Sequence, residues 1–131
     1  MHLEDDGMCY ACGKKNEKGL RLEFTFFEQA RKIETTFFPS AFHQGWKGIV
    51  HGGIIVTIMD EAMAKLVHLL GYHALTASLD VRFKDMAKTR ESLTVRAEVT
   101  KLTKRLIFTK AVTHRGNGEV IAEARGKLMV Y

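Results

Sequence analysis

The chain has little proline, little cysteine and no long apolar run, and each scarcity excludes a class of protein. Its 131 residues include one proline, Pro39, beside 11 glycines. No Pro/Gly/Ser linker or low-complexity tract divides it, so a single domain over residues 1–131 is expected. The longest nearly apolar stretch, Ile54 to Leu70, is broken by Asp60, Glu61, Lys65 and His68. A bilayer-spanning helix needs about 20 predominantly apolar residues, so no membrane segment is expected. The opening MHLEDDGMCY carries acidic residues and no apolar stretch, so it does not read as a secretory leader and a cytoplasmic location is expected. No G-x-S-x-G elbow, P-loop, G-x-G-x-x-G loop or H-x-x-x-H pair occurs, which removes the sequence support for a serine hydrolase, a nucleotide-phosphate cradle or a paired-histidine metal site. Lys and Arg number 20 against 15 acidic residues, a net charge of +5, but the basic residues are scattered and no basic stripe carries interleaved aromatics. Nucleic acid is therefore not an expected partner, while a phosphate-bearing small molecule is compatible with the charge.

The two cysteines form one C-x-x-C, Cys9-Tyr10-Ala11-Cys12, followed by Gly13-Lys14-Lys15-Asn16. A structural zinc site normally takes four ligands and only one such pair is present, so no metal is assigned. The first reading is a reduced turn. The second is a metal shared between two chains or completed by His2. A disulfide comes last.

Hydrophobic periodicity organises the rest. Leu20 to Phe26 alternates apolar and polar residues, as a half-buried strand does, and Lys32 to Phe37 resumes after a Glu28–Arg31 turn, predicting a hairpin. A helix is predicted from about Gly52-Gly53 to Leu70, stopped by Gly71. Strands are predicted at Thr76–Phe83, Leu93–Thr100, Leu106–Thr113 and Val120–Val130, with turns at Lys88–Glu91 and Arg115–Gly118. Consecutive strands joined by short turns are expected to be antiparallel neighbours. A lone helix that is apolar on most of its surface needs burial on several sides. The expected architecture is therefore α+β, a long central helix wrapped by a curved antiparallel sheet of five to six strands.

The chemistry concentrates around His51-Gly52-Gly53. The first N–H groups of a helix have no intrahelical partner, carry partial positive charge and suit an anion or a developing oxyanion, and glycines let that group approach. Further along the same helix, Glu61, Lys65 and His68 make a polar stripe, whereas Asp60 has Gly53, Val56, Thr57, Ala64 and Val67 as its surface neighbours. A carboxylate on such a face is costly unless it has a partner or a chemical role. Asp60 is thus a candidate general base or nucleophile. His51 is a candidate for orienting a carbonyl or for bonding its own loop, and Met59, Met63 and Met129 read as core.

The segments CYACGKKNEKGLRL, HQGWKGIVHGGIIVTIMDEAMA and TASLDVRF together resemble the hotdog-fold thioesterase superfamily, in its PaaI-like, thioesterase-superfamily-member branch. The resemblance runs from Cys9 to about Tyr131, and H-G-G with Asp60 eight residues after Gly52 is its most specific element. It implies the hotdog fold, homodimers or dimers of dimers with shared active sites, and hydrolysis of a small to medium acyl- or aryl-coenzyme A thioester, with no cofactor. It implies Asp60 as the carboxylate, Gly53, perhaps with Gly52, as the oxyanion-hole donor, His51 as the residue before that pair, and Ser78 as the position where some members use a Ser or Thr from the partner chain to hold the water. Arg82, Lys84, Lys88 and Arg90 become candidates for the coenzyme A phosphates, and Trp46 and Phe42 for the acyl group. Two departures accompany the likeness. Many relatives carry a water-positioning Asn or Gln ahead of H-G-G, and here the only nearby amide is Gln44. Lys84-Asp85-Met86-Ala87 stands where a proline-bearing turn is usual. The alternatives are a non-catalytic acyl-coenzyme A binding module of the same fold and a dehydratase using His51 with Asp60.

Overall fold

The computed structural model describes residues 2–131. Helix α1 spans Gly52–Leu69, and strands β1 Thr25–Phe27, β2 Lys32–Phe37, β3 Ala74–Phe83, β4 Leu93–Leu102, β5 Leu106–Arg115 and β6 Val120–Val130 form one antiparallel sheet in the order β1-β2-β4-β5-β6-β3. The expected hotdog arrangement, one long helix against a six-stranded sheet, is present. No helix among the described residues is long and apolar enough to cross a membrane.

The helix exists because it carries no proline and repeats apolar residues at helical spacing. It buries Ile55, Ile58, Met59, Ala62, Met63, Leu66 and Val67, the face turned to the sheet. Its C-terminus closes as a Schellman motif: Gly71 has φ +99°, its N–H donates to the His68 carbonyl, and the Tyr72 N–H donates to the Val67 carbonyl with Tyr72 packed on Val67. Strands β2, β4, β5 and β6 beneath largely alternate buried with more exposed residues. On β6, Ala122, Ala124, Gly126 and Leu128 face the helix and Glu123, Arg125, Lys127 and Met129 face out, so Met129, read as core, is 43% exposed. A Cβ built on Gly126 would lie 2.9 Å from Thr109 Oγ1 and 3.1 Å from Met63 Sδ. The helix therefore rests on the sheet at a spacing that only glycine permits at this point.

Two expectations are corrected. The first strand is shorter than Leu20–Phe26, because Arg21 adopts φ +50° and the Leu20 and Leu22 N–H groups donate to the Tyr10 and Ala11 carbonyls instead of to β2. The alternation was a signal of burial, not of pairing: Leu20, Leu22, Phe24 and Phe26 all pack on the core. Secondly, β3 and β4 are not neighbours. The nine residues 84–92 carry the chain from β3, at one edge and paired only with β6, to β4, which lies between β2 and β5.

Buried Ala87 and one arginine hold that crossover. Arg115 Nη1 donates to Asp85 Oδ2 and Glu119 Oε2, each at 2.8 Å, its Nε to Glu91 Oε1 at 3.0 Å and its Nη2 to the Met86 carbonyl at 2.6 Å. The Arg115 guanidinium and the Met86 N–H hold the Asp85 carboxyl below its usual range, and these partners push Arg115 up.

Two outcomes are expected. Gly126→Val should lower the urea-unfolding stability by about 1–3 kcal/mol through overpacking; an unchanged midpoint would show that the helix moves away at no cost. Because the Asp85 pKa is depressed on folding, its stabilising contribution is present above the unfolded value of about 3.9 and is lost as pH falls through the lower folded value. The melting temperatures of wild type and Asp85→Asn should therefore differ at neutral pH and converge below about pH 4. A pH-independent difference would remove the ionic account of the crossover.

Candidate active site

His51 is the N-cap of α1, with φ −60° and ψ 130°, and its ring Nδ1 accepts the Gly53 N–H at 2.9 Å. Nδ1 is then the acceptor and Nε2 carries the proton. The Ile54 N–H donates to the His51 carbonyl at 2.9 Å. The Gly52 N–H has no partner among the described residues. This reverses the expected assignment within the glycine pair: the donor at Gly53 is committed to the cap, and the free donor at the positive end of the helix belongs to Gly52. It also gives His51 its role. Its Nδ1 is spent on capping, and within one chain no hydrogen bond among the described residues joins its ring to Asp60.

The loop ahead of the helix is tied down by backbone bonds to the crossover. The Val50 N–H donates to the Ala87 carbonyl at 2.8 Å and the Thr89 N–H to the Gly48 carbonyl at 3.0 Å, while Ile49 bridges Lys88. Gln44 Oε1 accepts the Gly48 N–H at 3.1 Å, so this amide braces its own loop. Trp46 is 84% exposed and Phe42 96%, so neither is covered by the rest of its own chain. Phe83 lies over the start of the helix, where a Cβ on Gly52 would be 3.3 Å from its ring.

Asp60 lies on the flank of α1 that carries Gly53, Val56, Thr57 and Ala64, all only partly covered or exposed; Val67, at its C-terminal end, is buried. Thr76 of β3 donates its hydroxyl to Asp60 Oδ1 at 2.7 Å, and Oδ2 has no partner among the described residues. Ser78, expected to act from the partner chain, does not approach Asp60 of its own chain. A bulge between Thr76 and Ser78 places Thr76 opposite buried Leu128 and Ser78 opposite exposed Lys127. Residues directly opposite in a ladder share a face, so Thr76 faces the helix and Ser78 the outside. Strict alternation puts positions 76 and 78 on the same face, and only the bulge at Ala77 separates them. No residue signal announces that bulge.

The four basic candidates do not form one group. Arg82 pairs with Glu123 on the outer face of the sheet, in a groove of about 500 Å³ that also includes Asp80, Lys110 and Arg125. Lys84 begins the crossover, its N–H on the Ile121 carbonyl at 2.7 Å. Lys88 and Arg90 lie beside the loop that leads to α1: Lys88 bridges Ile49, and Arg90, at φ +67°, donates its N–H to the Pro39 carbonyl at 2.7 Å. Exposed basic side chains at the positive end of the helix suit an anionic ligand better than Arg82 does.

Along one helix, then, lie an uncommitted N–H at the N-terminus and a carboxylate with one oxygen held and one free. The first can stabilise a developing oxyanion and the second can accept a proton or attack an acyl carbon.

Known proteins share this fold. Among solved structures, the E. coli PaaI protein of the phenylacetic acid degradation operon superimposes with a TM-score of 0.80 at 19% identity, covering 86% of this chain and 80% of that one. A hypothetical thioesterase of Streptococcus pneumoniae TIGR4, solved with coenzyme A, gives 0.79 at 17% identity over 84% of this chain and 85% of that one. In sequence, the human acyl-coenzyme A thioesterase THEM5 is 28% identical over 103 residues, 77% of this chain and 42% of its own length. The chain thus spans about two fifths of such curated relatives. A family profile described as the thioesterase superfamily matches residues 47–122, from the loop before H-G-G to the start of the last strand. By that match over more than half its length, the chain belongs to the thioesterase superfamily.

Proposed function

We propose that the protein is an acyl-coenzyme A thioesterase acting on a small to medium acyl or aryl group, and that two copies of the chain complete each active site. The observation that carries the reading is the pairing of a carboxylate, Asp60, one oxygen held by Thr76 and the other free, with the uncommitted Gly52 N–H. The thioester carbonyl oxygen sits against Gly52, where donor and helix dipole stabilise the charge that develops. Asp60 takes a proton from a water that attacks the carbonyl carbon; the tetrahedral adduct collapses, the C–S bond breaks, and the thiolate leaves with its electron pair and is protonated. The products are a carboxylic acid and coenzyme A thiol. Lys88 and Arg90 are the basic residues placed for the phosphates. The relatives named as acyl-coenzyme A thioesterases and the coenzyme A-bound Streptococcus pneumoniae protein support this substrate class.

The need for a second copy follows from the helix itself. Asp60 is eight residues beyond Gly52, about 12 Å along the axis. A base within about 3 Å of its water and a donor within about 3 Å of the oxyanion cannot grip one carbonyl across that span without a nearly linear chain of contacts. Helices packed antiparallel from two copies bring one Gly52 beside the other Asp60. The partly exposed flank holding Gly53, Val56 and Thr57, next to the unpaired edge of β3, is the surface that suits such packing.

Thiol release should be measured on short, medium, long and aryl coenzyme A esters. Asp60→Asn is expected to lose about 10²–10⁴-fold in turnover. Coenzyme A esters that raise the melting temperature without thiol release from wild type would establish a binding module instead. Thr76→Val should lose roughly tenfold, with Ser78→Ala near wild type; the reverse order would restore Ser78. Gly52→Pro removes the N–H at the first helical position, where proline is favoured and His51 already has the extended backbone that precedes it, and its ring displaces Phe83, which a Cβ would approach to 3.3 Å. Mixed and reassembled with Asp60→Asn, this variant should regain about a quarter of wild-type activity from mixed dimers with one intact site of two. No recovery on verified mixing would place both groups in one chain's site.

A further inference from the structure

We propose that Cys9, Cys12 and Glu61 form a binding site for one thiophilic divalent ion, zinc in its chemistry, that clips the N-terminal segment to α1. The sequence offered only two ligands, and the fold supplies a third. Glu61 projects from the helix beside the C-x-x-C turn, and the two sulfurs and a Glu61 carboxylate oxygen all lie within 4.8 Å of one another. Cys9 Sγ is 3.7 Å from Glu61 Oε2. With zinc–sulfur bonds of about 2.3 Å and zinc–oxygen bonds of about 2.1 Å, a tetrahedral centre separates S from O by about 3.6 Å and S from S by about 3.8 Å. The Cys9–Glu61 distance already matches one edge of that tetrahedron, and small side-chain shifts would close the other two.

The turn that presents the thiols is fixed independently of any ion. The Gly13 N–H donates to the Cys9 carbonyl at 2.8 Å, the Lys15 N–H to the Gly7 carbonyl at 3.0 Å, and the Asn16 amide to the Met8 carbonyl at 3.1 Å. A Cβ on Gly13 would lie 2.5 Å from both Cys9 N and Gly7 O, so no other residue fits there. Glu61 makes no ion pair among the described residues. Two thiols and a carboxylate thus face one another, Cys9 exposed and Cys12 and Glu61 half-buried. Two sulfurs select a thiophilic ion over calcium or magnesium. The fourth position faces a cavity of about 240 Å³ lined in part by Asp5, His68 and His73, which leaves room for a water or a further side chain.

The test uses reduced, chelator-stripped full-length protein titrated with cobalt(II), which reports thiolate ligation by near-ultraviolet charge-transfer absorption and tetrahedral geometry by its visible bands. The expected result is saturation at one cobalt per chain, displacement by zinc, and loss of the charge-transfer absorption in Cys12→Ser. Glu61→Gln should keep that absorption and bind at least about tenfold more weakly. Zinc should raise the melting temperature of wild type but much less that of Glu61→Gln. No saturable cobalt signal from wild type would overturn the proposal, and that arm does not depend on any variant folding. One cobalt per two chains would overturn the single-chain site in favour of four shared thiolates. Affinity unchanged in Glu61→Gln would remove the carboxylate. None of these readouts involves thioester turnover, so they stand or fall apart from the proposed activity.

Discussion

The organising constraint is that one helix must cover one sheet. The 18 residues of α1 are the only α-helix among the described residues, and the inner faces of β2 to β6 depend on it for burial. At Gly126 the helix residue Met63 and the neighbouring strand's Thr109 crowd the place a Cβ would take. Seating the helix there, at 3.6 residues per turn, fixes which residues are swallowed and which remain on the flanks. Asp60 and Glu61 are adjacent in sequence and about 100° apart around the axis, so they serve opposite flanks. Asp60 faces the hydroxyl of Thr76 at the sheet edge, and Glu61 faces the thiols of the N-terminal turn. The position of each follows from packing that neither of them makes.

Elements that depend on local periodicity were legible in the sequence. The helix limits, the β2 limits and the β6 limits agree with the patterning almost to the residue, because alternation and the 3.6 repeat record burial directly. What was not legible depended on partners far away. The separation of β3 from β4 is decided by Arg115 and buried Ala87 gripping the crossover, and a turn-like sequence at Lys88–Glu91 carries no record of that. The alternation of Leu20–Phe26 is real but serves a segment whose hydrogen bonds run to Tyr10 and Ala11.

The candidate site was legible to the level of the motif and not to the level of the atom. H-G-G followed by Asp60 located the two ends of the chemistry. Which glycine N–H is free was decided by the His51 ring, since a histidine at an N-cap accepts from the second helical N–H and spares the first. Which hydroxyl meets Asp60 was decided by one extra residue in β3. Both are single-residue shifts, and both exchange one neighbour of a correctly placed motif for the other. Motif spacing cannot resolve them, because a bulge or a cap changes direction without changing composition.

The two flanks of α1 also differ in how they are closed. On the Glu61 side the chain covers itself: the turn at Cys9–Cys12 packs against the helix, and buried Ala11 and Leu22 join the core. On the Asp60 side nothing of the same chain does so, and ten residues of β3 present an edge with only β6 beside it. An unpaired edge of that length is a template for another strand. A second copy placed there would pair the edge, cover the apolar residues around Asp60, and bring in the Gly52 donor that the axial rise of the helix keeps away from the same chain's carboxylate. The requirement for burial and the requirement for catalysis are thus met by one surface, which is why the proposed activity and the proposed association rest on the same geometry.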